Sequence, residues 1–273
     1  MGLVDTDAIV LRTYKLAEAD KIVILLTQQA GLIRGVARGA RRLKSRFGAS
    51  LEPLTLVAIS YFEKEGRELV SLRQAEILRS YFGLAKETET VAVLEYLAGL
   101  VLEFAPPHEP NEKLFRMVKA CVEAIAGEPE RLPALARYFE LWTLRLSGFL
   151  PNLRACTGCN RQFAAGEEAY IGAESALRCV RCTGGKGTPL SVASHRQMRA
   201  IQQYGPAEWA ARYGELPRLA QTEVAQITQG LIARVLERAP RGRATLMLVD
   251  GETASAPRTA EVGRGSGRSA SLK

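Results

Sequence analysis

Residues 7–56 read DAIVLRTYKLAEADKIVILLTQQAGLIRGVARGARRLKSRFGASLEPLTL, and the spacing of their apolar side chains decides the architecture of the first third of the chain. Three runs, DAIVLRTY (7–14), KIVILLTQ (21–28) and LIRGVARG (32–39), are short and rich in Val, Ile, Leu, Thr and Tyr, with turn material between Gln29 and Gly31. Downstream, LEPLTLVAISYFE (51–63) and ELVSLRQAEIL (68–78) repeat the pattern, broken at Gly48 and at Lys64 to Arg67. Five strands in 80 residues, close enough in sequence to pair as a meander, predict a five-stranded OB-type barrel rather than a seven-stranded sandwich.

The same stretch carries Arg34, Arg38, Arg41, Arg42, Lys44 and Arg46 without an acidic residue among them. A solvated turn is the ordinary use of such a run. Three features favour a polyanion instead: no internal counter-charge, Gly35, Gly39, Ser45 and Gly48 that let backbone approach a phosphate, and a place on a loop of the expected barrel. Tyr14, Tyr61 and Phe62 offer stacking surfaces, although strand alternation turns Tyr61 or Phe62 inward. Six contacts to single-strand phosphates would give log K against log salt a slope of roughly −4.

From about residue 84 the apolar period lengthens to that of a helix. Val91, Leu94, Leu97 and Val101, then Leu114, Val118, Cys121 and Ile125, then Leu132, Leu135, Phe139, Trp142 and Leu146 mark three successive helices. Gly127 and Gly148 stand where left-handed caps belong, and Pro106-Pro107 and Pro151 are stops. Residues 153–190 lose the period. It returns at Ser194-x-x-Gln197, which reads as a capping box, and again through Val224, Ile227, Leu231 and Val235. After Val249 Gly, Ser, Ala, Arg and Pro dominate, the composition of a disordered tail. The expected organisation is α+β and multidomain: an OB-fold nucleic-acid-binding domain at 1–80, a helical domain at 81–152 and 191–249, a zinc-binding insert at 153–190 and the tail at 250–273.

Cys156-Thr-Gly-Cys159 and Cys179-Val-Arg-Cys182, with nineteen residues between them, have zinc-site spacing. Two residues between thiolates let a knuckle turn aim both sulfurs at one ion, with Gly158 easing the turn, and four cysteines leave no open position for a reacting water. The ion expected at Cys156, Cys159, Cys179 and Cys182 is therefore structural Zn²⁺. Cys121 lies on an apolar helix face and reads as core.

The rest of the chain offers no reaction. The two histidines, His108 and His195, fall in no nucleophilic or metal constellation and are expected on solvated surface. Gly184-Gly185-Lys186-Gly187 lacks the spacing and hydroxyl of a phosphate-binding loop. Glu167-Glu168 reads as a solvated turn. Asp5 and Asp7 are the only neighbouring aspartates, a thin basis for a two-metal nuclease. The stretch VAVLEYLAGLVLEFA (91–105) is interrupted by Glu95 and Glu103 and too short to span a bilayer, and MGLVDTDAIV has no basic leader, so the expected location is cytoplasmic. The net charge of +8 is polarised, with basic ends around an acidic middle.

The first 60 residues resemble the N-terminal domain of the bacterial recombination mediator family RecO. The resemblance is carried by Glu18-x-Asp20, the strand end at Thr27 and Gly31, and the Gly39-Ala-Arg-Arg-x-x-Ser-Arg46 run, and in layout it extends to about residue 238. It implies a non-enzymatic DNA-repair protein that binds single- and double-stranded DNA, anneals complementary strands and helps load RecA onto DNA coated by single-strand DNA-binding protein, with RecR and that coat protein as partners. The six basic residues are then phosphate contacts. RecO members differ in whether they carry the four cysteines, and they usually finish shortly after the last helix, whereas this chain continues through RAPRGRATLMLVD. Two other readings stand beside it: a zinc-ribbon RNA-binding or transcription-associated module, and a nuclease using Asp5 and Asp7.

Overall fold

The computed structural model describes residues 2–238 apart from 65, 82, 84–87, 173 and 185. The tail expected at 250–273 lies outside the described residues. Strands β1 (Gly2–Lys15), β2 (Lys21–Thr27), β3 (Gly31–Ala37), β4 (Leu56–Glu63) and β5 (Leu69–Arg79) close into a barrel in the order β1-β2-β3-β5-β4. β1 is long because it serves two neighbours: Gly2 to Ile9 pair with β4, and Ala8 to Lys15 pair with β2. A register shift between Val10 and Arg12 bends it from one partner to the other. A short parallel ladder, Arg34 opposite Leu69 to Val36 opposite Ser71, completes the ring.

Alternation sends Val10, Val23, Leu25, Ile33, Ile59 and Leu72 into the barrel. The other face of β1 and β2 is not solvated. Ile9, Leu11, Ile24 and Leu26 belong to a second core shared with the helices. A strand buried on both faces loses the alternating pattern, which is why KIVILLT is apolar throughout.

Helices α1 (Thr88–Phe104), α2 (Glu112–Gly127) and α3 (Leu132–Leu146) lead to a small sheet of β6 (Ala169–Ile171), β7 (Leu177–Cys179) and β8 (Thr188–Leu190), with the single turn α4 (Val180–Thr183) between β7 and β8. Helices α5 (Val192–Arg199), α6 (Pro206–Gly214) and α7 (Arg218–Leu236) follow. α3 is the axis of this half, with 11 of its 15 residues buried. Arg137 and Glu140, one turn apart on α3, are both fully buried and 3.0 Å from each other. Glu140 also accepts from Tyr96 of α1 at 2.5 Å and from Thr228 of α7 at 2.8 Å, so one carboxylate ties three helices.

The barrel is docked to the helical half through backbone. The His108 N–H donates to the Leu32 carbonyl at 3.0 Å, and Gly31, at φ +66°, sits so close that a Cβ there would lie 2.0 Å from the Glu109 oxygen. No other residue type fits that turn.

Three local expectations are corrected. Gly148 takes the left-handed cap conformation at φ +79°, but Gly127 does not; α2 ends inside it, and the N–H of Glu128 returns to the Ala124 carbonyl. The capping residue of α5 is Ser191, whose hydroxyl accepts from the Ser194 N–H, while Gln197 donates across to the Trp209 carbonyl at 3.0 Å. His195 is buried rather than solvated: its Nε2–H donates to the Leu153 carbonyl at 2.6 Å and its ring meets Phe163 edge-on at 5.1 Å. Burial holds its pKa below the ordinary histidine value, against the opposing pull of that carbonyl. Cys121 is core as expected, and burial pushes its thiol pKa far up. Helix α6 and the β6-β7-β8 sheet had no signal strong enough to be read.

Candidate nucleic-acid interface and metal centre

The β3–β4 connection, residues 38–55, is pinned at its root and exposed at its tip. Ala40, Arg42 and Ser45 donate back three residues in successive turns. The Asp20 carboxylate accepts from the Gly39 N–H at 2.8 Å, and the Arg41 N–H reaches the Ala19 carbonyl at 2.9 Å. The Arg41 guanidinium then grips the β1–β2 turn by donating to the carbonyls of Ala17 at 3.0 Å and Glu18 at 2.8 Å. Phe47 anchors the far side in the barrel core, with the Arg46 guanidinium over its ring at 5.0 Å.

Arg38, Arg41, Arg42, Lys44 and Arg46 therefore share one loop, and Arg34 stands apart from them. It projects from the outer face of β3, opposite Ile24, which in turn pairs with Arg12. All six are exposed, and among the described residues none is in an ion pair. Arg41 and Arg46 spend hydrogen bonds on holding the loop, Arg46 through a long contact to the Leu72 carbonyl. Arg34, Arg38, Arg42 and Lys44 spend none. Of the aromatic candidates, Tyr61 is buried in the barrel, Phe62 is half-buried beneath Arg73 at 5.4 Å, and Tyr14 is exposed. The sequence reading missed Lys15 and Lys21, which face each other across β1 and β2 beside Ala37, the residue before Arg38. Like charges directly opposite cost stability, so the pair is a signal, but only the register reveals it.

The four cysteines converge. Their sulfurs lie within 4.8 Å of one another, with Cys159 and Cys179 Sγ 4.0 Å apart, and all are free thiols. A tetrahedral ion with four Zn–S bonds separates its sulfurs by about 3.8 Å, so the set fits such an ion. The Cys156 sulfur accepts from the Gly158 N–H at 3.4 Å and the Cys179 N–H at 3.3 Å. Burial raises the Cys156 pKa, but those N–H groups with that of Cys159 outweigh it and bring the thiol down to about 6. A Cβ at Gly158 would lie 3.0 Å from the Cys182 Cβ, so the knuckle is closed by close approach.

The insert is also rooted in the helical core through Ile171, Leu177 and Leu190. Glu167, expected on a solvated turn, instead binds the Arg161 guanidinium with both oxygens and the Ala164 N–H at 3.0 Å. The Arg161 hydrogen bond leads in lowering its pKa to about 2. Asp5, bonded to Ser60, and Asp7 lie with Gln74 and Glu76 in a shallow cleft on the barrel's outside. Among the described residues the four cysteines are the only group of three or more side chains with metal-binding geometry.

Comparison with known proteins places these features together. Residues 1–81 match the family described as Recombination protein O N terminal, and residues 86–244 match Recombination protein O C terminal. The chain belongs to the RecO family of DNA repair proteins. It is 32% identical over 246 residues to DNA repair protein RecO of Symbiobacterium thermophilum, covering 88% of this chain and 94% of that protein. It is 32% identical to DNA repair protein RecO of Anaeromyxobacter sp. strain K, over 77% of this chain and 84% of the relative, and 36% identical to that of Geobacter metallireducens, over 65% and 71%.

RecO proteins are recombination mediators and not enzymes. The residues that carried the RecO resemblance now have physical roles. Asp20 and the Glu18 carbonyl hold the Gly39-Ala-Arg-Arg turn against the barrel. Thr27 Oγ1 closes the β2–β3 turn by donating to the Gly31 carbonyl at 2.9 Å and accepting from the Ala30 N–H at 2.9 Å. No helix among the described residues is long and apolar enough to cross a membrane.

Proposed function

We propose that this chain binds single- and double-stranded DNA through the β3–β4 loop and the adjoining outer face of β3, with Arg34, Arg38, Arg41, Arg42, Lys44 and Arg46 as phosphate contacts and Lys15 and Lys21 at the rim. The observation that carries this reading is a loop hydrogen-bonded at its root whose cations are all exposed and, among the described residues, lack ion-pair partners, on a closed five-stranded barrel, in a chain of the RecO family. A surface that neutralises two strands at once lowers their repulsion, a route to annealing that needs no nucleotide and little sequence preference. On this reading the protein works in the cytoplasm with RecR and single-strand DNA-binding protein and helps load RecA onto coated DNA.

Cys156, Cys159, Cys179 and Cys182 would hold one Zn²⁺. Four soft thiolates at tetrahedral separation suit that ion, and a sphere closed by protein makes it a structural cross-link between the two knuckles. The division into barrel, helical half and metal insert follows the two cores, with the insert grafted onto the second.

The test is a salt series on fluorescent single-stranded DNA with an Arg38→Ala/Arg42→Ala/Lys44→Ala variant, chosen because these three side chains hold nothing else in place. Three lost contacts should flatten the slope by about 2. An unchanged slope would put the DNA elsewhere, and a strong preference for RNA of the same sequence would favour the RNA-binding module.

A further inference from the structure

Among the large apolar side chains of the described residues, Leu43 is the most exposed, at 102%. A lone exposed leucine is ordinary on a protein surface. This one is not placed like the others. It lies between Arg42 and Lys44, at the tip of the loop built from Asp20, Arg41 and Phe47. The turn closed by Arg42 N–H to the Gly39 carbonyl at 3.1 Å precedes it, and Leu43 itself takes the second position of the turn closed by Ser45 N–H to the Arg42 carbonyl at 3.0 Å. Its anchors are Gly39 and Arg41 on one side and Phe47 on the other, so the side chain has no short path back to the barrel. An apolar side chain is thus left fully exposed between two exposed cations, which draw a phosphate backbone to it.

We propose that Leu43 is a wedge that enters the base stack of bound DNA. This rests on the reading of the loop as the DNA contact and says what the loop does there. Arg42 and Lys44 hold phosphates on either side, and the leucine slides between neighbouring bases and unstacks them. Apolar side chains between base steps are an established way to kink or open nucleic acid, and Leu is among the types that do it. For a protein that brings two strands together, one unstacked step exposes base edges without any reaction. The ligand class is a base step of either strand form, with no sequence preference expected from an aliphatic wedge.

The experiment uses the full chain with single-stranded and duplex oligonucleotides carrying 2-aminopurine, whose fluorescence rises when it unstacks. Wild type, Leu43→Ser, Leu43→Met and Arg42→Ala/Lys44→Ala are compared. The wedge requires that wild type and Leu43→Met raise the signal at saturation, that Leu43→Ser loses the rise and binds about tenfold more weakly, and that its salt slope matches wild type because no charge has changed. If Leu43→Ser keeps both the rise and the affinity while Arg42→Ala/Lys44→Ala flattens the slope, the loop binds DNA and the wedge is wrong. If Arg42→Ala/Lys44→Ala leaves the slope unchanged, the loop reading fails and the wedge falls with it.

Discussion

The β3–β4 loop leaves its cations exposed to solvent, whereas several arginines of the helical half are committed to carboxylates. Five cations on the β3–β4 loop, and Arg34 on the neighbouring strand, are exposed, and none has an ion-pair partner among the described residues. In the helical half Arg137 is buried against Glu140, Arg161 is clamped by Glu167, and Arg131, Arg212 and Arg238 pair with Glu128, Glu208 and Glu103. An arginine committed to an intramolecular carboxylate cannot also neutralise a phosphate at no cost. The comparison teaches that a net charge of +8 says little by itself; which cations are left unpaired says where a polyanion can bind.

The contrast can be broken most forcefully at the metal insert. If the four cysteines hold the proposed Zn²⁺, Cys179→Ala should empty the site and unfold the insert, since apparent binding energies of structural zinc run to about 10–16 kcal/mol and would be folding energy there. On the zinc reading, metal analysis should give one zinc per wild-type chain and none for the variant, and hydrogen exchange should rise across 153–190 while the barrel stays protected.

Next comes Glu140→Gln. Removing the charge of one member of a fully buried pair, which also ties α1 and α7 to α3, should register in urea denaturation as a loss of about 3–5 kcal/mol. A loss under 1 kcal/mol would mean the pair is dispensable and the contrast with the loop overstated. Arg38→Ala/Arg42→Ala/Lys44→Ala should leave the same denaturation curve within about 0.5 kcal/mol, because those side chains hold nothing in place.

The smallest effect is a pH dependence. Burial keeps the folded pKa of His195 below its unfolded value, so the neutral ring contributes stability that is complete above about pH 6.5 and is lost as pH falls through the folded pKa. Arg199 adds to the depression, while the Leu153 carbonyl and nearby Glu167 oppose it. The urea midpoint should drop between pH 7.5 and 5, and His195→Gln should flatten that drop. A mutant with the same acid slope as wild type would move the cause to other groups.

Much of this was legible before any coordinates. The five strands were readable because Val, Ile and Thr runs were separated by Gly-bearing turns, and the metal set because two-residue spacing between thiolates has few other uses. Helix α6 was not. Its PAEWAARYG is short and buries only Trp209, Ala210 and Tyr213, too few positions to display a period. His195 was misplaced because a lone histidine looks alike on either side of a helix. Ser194 and Ser191, three residues apart, offer the same hydroxyl, and only the φ/ψ of the chain shows that Ser191 is the cap.

Five strands, the helical segments, the four-cysteine set and the acid-free cationic run can be read from the chain, because each depends on residues near one another; the pairings of β1 with β4 and of β3 with β5 that close the barrel, in place of a simple meander, cannot. The tertiary structure alone decided which cations are free. Pairing Arg137 with Glu140 at zero exposure needs α1 and α7 packed around α3, Arg161 with Glu167 needs a closed insert, and Lys15 beside Lys21 needs the β1–β2 register. Electrostatic energy depends on separation and solvation in space, and neither can be counted along a chain.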